Sequence, residues 1–149
     1  MRAYRKIMVA VDFSEHSMAS VSHGARLARD LGAELLLVNI INQRDVDMLK
    51  EVALKAPEFS FKEHLQGIEE DREERFRQII LKPECVGIKI DTVVRIGVPF
   101  EELLKTIAAR HVDLLVMGAK GRSNLVGVVV GSCAQKLFRR CPVPVLSIR

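Results

Sequence analysis

Short apolar, β-branched runs alternate along this chain with longer segments in which apolar residues recur every three or four positions. The short runs have the character of buried strands and the long ones the period of amphipathic helices, so their order predicts strands and helices in succession. Residues 7–11, Ile-Met-Val-Ala-Val, form the first strand. Asp12 and Phe13 follow, and Ser14 is placed to cap a helix that carries Met18, Val21, Ala25 and Ala28 on one face and stops at Gly32. Residues 34–41, with Leu35, Leu36, Leu37 and Val38 at the centre, read as a second strand buried on both faces.

Residues 42–83 are the least regular. Their second half has helical spacing at Phe61, Leu65, Ile68, Phe76 and Ile79, with residues 69–75 supplying a charged face, and predicts a long surface helix behind a mobile connection interrupted by Pro57. Residues 87–96 alternate as a third strand, and Gly97-Val98-Pro99 turns the chain into a helix with Leu103, Leu104, Ile107 and Ala108 inside. A fourth strand over 114–117 ends at Gly118; a helix over about 132–140 leads to the last strand, 143–148. Pro142 and Pro144 remove backbone donors and assign that strand to a sheet edge. Strands in this alternation, joined by right-handed crossovers, make an open, doubly wound parallel α/β sheet in one domain spanning residues 1–149.

Composition narrows the function. A chain of 149 residues buries roughly 70% of its unfolded surface and can fold without metals or crosslinks. The three cysteines, 85, 133 and 141, lack CxxC spacing and fit small buried thiols in a reducing cytoplasm. The apolar run behind Arg2, Arg5 and Lys6 is too short for a signal peptide, and no stretch approaches a membrane span. The net charge of +4 is spread among acidic residues, which argues against a nucleic-acid partner.

In open α/β sheets ligands bind beyond the carboxyl ends of the strands, where the strand order reverses. Asp12 follows the first strand, and residues 118–132 follow the fourth. Gly118, Gly121 and Gly131 let backbone approach a ligand, Ser132 sits where the next helix begins, and Lys120 and Arg122 add positive charge; together they suit a phosphate. The same residues would also serve a plain connection, although loops beyond about 12 residues are uncommon without a function. Asp12 could equally be a local turn-former. No glycine-lysine-serine or glycine-lysine-threonine loop follows a strand, and no GxGxxG opens the first turn.

Gly118-x-x-Gly121, nine residues, then Gly131-Ser132 resembles the ATP-binding pattern of universal stress proteins. Residues 9–17, Val-Ala-Val-Asp-Phe-Ser-Glu-His-Ser, resemble that family's opening strand and turn, and Cys141-Pro142-Val143-Pro144-Val145-Leu146 its ending. The resemblance covers the whole chain, weakly over 42–83. It implies a Rossmann-like, adenine nucleotide alpha hydrolase-like sheet with strand order 3-2-1-4-5. It also implies ATP as the ligand: Asp12 at the ribose or adenine edge, Ala10, Val11, Ile40 and Met117 lining the adenine pocket with side chain or backbone, and Gly118, Gly121, Arg122, Gly131 and Ser132 at the phosphates, with Cys133 beside them. Ala119 stands where members often carry a polar residue, so one phosphate contact is expected to be missing. Mg²⁺ or Mn²⁺ would enter with the nucleotide, held mainly by phosphates and water. A homodimer through the last strand is implied as well.

The residues near this site do not assemble a hydrolytic set of base, metal ligands and leaving-group donor. His16 and His23 share a helix face but not a metal-binding spacing. Three readings therefore stand: an ATP-binding regulatory protein read by a partner; a slow ATPase or self-phosphorylating enzyme with Ser123 or Ser132 as acceptor; and a nucleotide-free stress chaperone or interaction module.

Overall fold

Five parallel strands lie in the order β3-β2-β1-β4-β5 in a computed structural model that describes residues 3–119 and 132–149. The strands are β1 (Lys6–Ala10), β2 (Glu34–Asn42), β3 (Ile90–Gly97), β4 (Leu114–Gly118) and β5 (Val145–Ile148). The helices are α1 (Glu15–Leu31), α2 (Gln43–Lys55), α3 (Phe61–Ile80), α4 (Pro99–Ala109) and α5 (Ser132–Arg140), with one 3₁₀ turn at Pro83–Cys85.

The pleat sends alternate residues of each central strand to opposite faces, and both faces are covered. Ile7 and Val9 of β1, with Leu35 and Leu37 of β2, pack with Val21, Ala25 and Ala28 of α1 and Phe76 and Ile79 of α3. Met8, Leu36, Val38, Leu115 and Met117 point the other way, to Leu103 and Ile107 of α4 and Ala134 and Leu137 of α5. Each such leucine or isoleucine contributes about 1.5–3 kcal/mol on leaving water. This double core explains why β1, β2 and β4 read as unbroken apolar runs.

Local rules explain the helix ends. The Ser14 side chain accepts from the Ser17 amide at the start of α1, and Gly32 closes the helix in the left-handed region at φ 64°. Pro99 opens α4 at the first turn, where its missing amide hydrogen costs nothing.

The structure departs from the sequence expectations at particular places. The connection after β2 is not a mobile link, because residues 43–55 form α2. Asn42, the last residue of β2, caps α2 by accepting from the Arg44 amide. Val46 alone is buried on that helix, while Met48, Val52 and Leu54 are exposed, so its apolar period does not point at the core. In α4 the buried stripe is Leu103, Thr106 and Ile107, and Ala108 is exposed. The Thr106 hydroxyl avoids an unmet bond by donating to the Glu102 carbonyl at 2.8 Å. β3 begins three residues later than its pattern predicts, because Gly87 turns the chain at φ 82° ahead of it. β5 begins at Val145, after both prolines, and lies at the sheet edge as their missing donors require.

Candidate functional site at the carboxyl end of the sheet

The strand order reverses between β1 and β4, since β2 and β3 extend from one side of β1 and β4 and β5 from the other. Val9 pairs with Val116, and Ala10 and Met117 are the next residues on each strand. Ile40 lies two residues beyond Val38, the partner of Ala10. Ala10, Ile40 and Met117 therefore stand at the carboxyl ends of three adjacent strands, and all belong to the α4/α5 core. Met117 is buried, whereas Ala10 and Ile40 are half-buried at the rim. Cys133, in the first turn of α5, packs against the same group. Its burial pushes the thiol's pKa up, with Lys136 pulling partly the other way.

The side chain of Val11 does not join this group. Its side chain faces the α1/α3 core, its amide donates to the Val38 carbonyl at 2.8 Å, and its own carbonyl accepts from Asn39 Nδ2 at 2.8 Å. Its amide and its carbonyl thus each make one hydrogen bond within the sheet end.

Asp12 sits at the centre of a closed set of hydrogen bonds. Its amide donates to Ser17 Oγ at 2.9 Å, and its Oδ1 accepts from the Ser14 amide at 2.9 Å and from Ser14 Oγ at 2.6 Å. The Ser14 hydroxyl oxygen in turn accepts from the Ser17 amide at 3.2 Å. Asp12 is thus a turn-former, through Oδ1, and its Oδ2 takes no hydrogen bond from a described residue. A carboxylate oriented through one oxygen and open at the other can receive hydroxyl donors of a sugar.

Gly118 is the last residue of β4, pairing with Ile148, and the Ala119 amide donates to the Ile148 carbonyl at 2.9 Å. Ser132 opens α5. Gly121, Arg122 and Gly131, together with Lys120 and Ser123, lie outside the described residues, as does the Ser132 side chain. Among the described residues no group of three acidic, histidine or cysteine side chains could hold a metal ion.

Some residues of this region are not singled out by sequence reasoning. Asn39 is 5% exposed and its Oδ1 has no partner among the described residues, and Ser17 is buried beneath Asp12. The available signal was a polar residue inside the apolar run of β2. Phe13 takes a left-handed backbone at φ 65°, which nothing in its residue type announces.

The profile of the universal stress protein family matches residues 3–149. Universal stress protein MJ0577 of Methanocaldococcus jannaschii is 25% identical to the chain, over 98% of this chain and 95% of that protein. Universal stress protein MJ0531 of the same organism is 28% identical, over 98% and 82%. The solved structure of MJ0577 superposes with a TM-score of 0.83, covering 99% of this chain and 96% of that one. A universal stress protein solved in complex with cAMP, 22% identical, shares the fold at a TM-score of 0.64 over 99% and 98% of the two chains. One from Archaeoglobus fulgidus, solved in complex with dAMP, shares it at 0.61 with 16% identity, over 99% and 100%. With a family match running nearly from end to end and the sheet order and crossovers in agreement, this chain belongs to the universal stress protein family.

Proposed function

We propose that the protein is an ATP-binding regulatory member of its family, acting in a stress response or signal through a partner that reads the bound state. The observation that carries the reading is the convergence of Ala10, Ile40 and Met117 beside the half-open carboxylate of Asp12, at the point where the strand order reverses. Ala10 and Ile40 offer a half-buried apolar rim for adenine, backed by the buried Met117, and Asp12 Oδ2 an acceptor for ribose. The phosphates run to the loop of Gly118, Gly121, Arg122, Gly131 and Ser132, where backbone amides and the start of α5 receive them. Complexes of two family members with cAMP and dAMP support an adenine nucleotide as the ligand class. Val11 contributes through the strand end it secures. A divalent cation enters with the phosphates and keeps most of its water. No helix among the described residues is long and apolar enough to cross a membrane, which fits work in the cytoplasm.

Titration of the intact protein with ATP by calorimetry tests this, and micromolar or tighter binding is expected. Turnover in the same preparation should stay well below the roughly 10 per second typical of enzymes. Steady turnover near that rate, surviving removal of contaminating ATPases, would move the protein to the enzyme reading; no binding of ATP would leave the nucleotide-free module.

The same reading includes a homodimer through β5. This strand ends the sheet, with Val145 and Ile148 half-buried and Leu146 38% exposed, and an unpaired edge of this kind is normally blunted or paired. A second copy can pair with it about a two-fold axis. Sedimentation should give twice the chain mass, and removing the residues after Pro142 should give a monomer or an insoluble chain. A soluble monomer at micromolar concentration contradicts the dimer.

A further inference from the structure

We propose that α3 positions the ligand-facing turn, with Phe76, Arg72 and Arg75 gripping the Phe13 ring so that Asp12 is held in place, making Phe13 and Phe76 positioning residues of the site. The inference rests on the nucleotide reading above and assigns a role to the segment between β2 and β3.

Phe13 lies between the two residues whose mutual hydrogen bonds define the turn, Asp12 and Ser14. Its backbone is left-handed at φ 65°, a conformation that crowds the Cβ of a bulky residue and persists only when the surroundings hold it. Glycine would adopt it without strain but would offer no anchor. The anchor is visible. The Phe13 ring packs on the α1/α3 core, its centroid 5.0 Å from that of Phe76 with the planes tilted by 55°, and Phe76 is itself 1% exposed. The guanidinium carbons of Arg75 and Arg72 lie 5.6 and 5.9 Å from the same ring centroid. Both guanidiniums are tied to one carboxylate oxygen, Asp71 Oδ2, at 3.1 and 3.2 Å. The ring is thereby held by a core aromatic and by a pair of oriented cations from one helix.

Turning Phe13 out of the left-handed region would rotate Asp12 away from Ser14 and break the bonds of Ser14 to Asp12 Oδ1, and with them the orientation of Oδ2. Ser14 also caps α1, so the turn and the start of that helix move together. Position on α3 is thus converted into the aim of the Asp12 carboxylate.

Three single variants and two readouts test this: Phe13→Gly, Phe13→Tyr and Phe76→Leu, each followed by hydrogen exchange of the amides of residues 12–17 without ligand and by ATP titration. Phe13→Gly should speed exchange in the turn and weaken ATP binding, each by about tenfold, although it relieves the backbone strain. Phe76→Leu keeps an apolar side chain in the core and should weaken binding by about three- to tenfold. Phe13→Tyr keeps the ring and should stay within about twofold of the parent. Exchange of the β1 and β4 amides reads the global loss of stability that a core change such as Phe76→Leu brings, and exchange in residues 12–17 should speed beyond it in Phe13→Gly and Phe76→Leu, which separates positioning from general loss of stability. Unchanged turn exchange in Phe13→Gly overturns the grip. Faster exchange with ATP affinity intact in both Phe13→Gly and Phe76→Leu overturns its link to the site. A parent that binds no ATP would remove the nucleotide reading, and with it the link to the ligand, while exchange in the turn still decides the grip.

Discussion

Replacing Gly131 by Val is expected to abolish ATP binding, and Gly121→Val to do the same. The phosphates in this account are received by backbone amides, so a branched side chain at either glycine stands between donor and ligand and denies several hydrogen bonds at once. Loss of two charge-assisted bonds of about 1.5–3 kcal/mol each already weakens Kd by more than a hundredfold. Asp12→Ala should act more gently, since it removes only one or two bonds to sugar or base, about 0.5–1.5 kcal/mol each, along with the two bonds from Ser14 in the turn. Calorimetry on these variants orders the contributions. A Gly131→Val protein that binds like its parent contradicts the placement of the phosphates.

Gly24→Val should loosen the packing of α1 on the sheet and lower the stability of the fold. A Cβ at residue 24 would lie 2.5 Å from Val9 Cγ2 and 3.5 Å from Leu35 Cδ1. Val9 is fully buried at the centre of the sheet and Leu35 nearly so, so neither has room to yield. Overpacking of this kind costs about 1–3 kcal/mol, more than the few tenths that valine gains over glycine as a helix former. At about 2–4 °C per kcal/mol for a chain of this size, Tm should fall by about 2–12 °C. Adding Val9→Ala should recover part of the loss, because it empties the space that the new side chain needs. An unchanged Tm would show that α1 does not sit this close on β1.

The sheet was legible because its three inner strands are buried on both faces, leaving the apolar runs around Ile7, Leu35 and Leu115 unbroken. The ends of α1 were legible because Ser14 and Gly32 act through local chemistry. By contrast, α2 buries only Val46, so no core-facing stripe marks it, and Asn42 serves as strand end and cap at once. The candidate site divides in the same way. Asp12 could be singled out by its position after a strand, while the phosphate loop expected from the glycine spacing falls largely outside the described residues. Val11 faces away from Ala10 by the ordinary alternation of extended chain, but two features come from tertiary packing between distant segments: Asn39 holds the Val11 carbonyl, and Phe76 meets Phe13. No periodicity within one element encodes such contacts.

The central claim is that adenine lies against the carboxyl ends of β1, β2 and β4, on the face shared with α4 and α5. Methyl-resolved NMR of the intact protein during ATP titration tests it most directly. The account predicts saturable shifts at the methyl groups of Ala10, Ile40 and Met117, with Val21 and Leu35 on the opposite face left in place. Shifts confined to the opposite face, or none at saturating ATP, would contradict it.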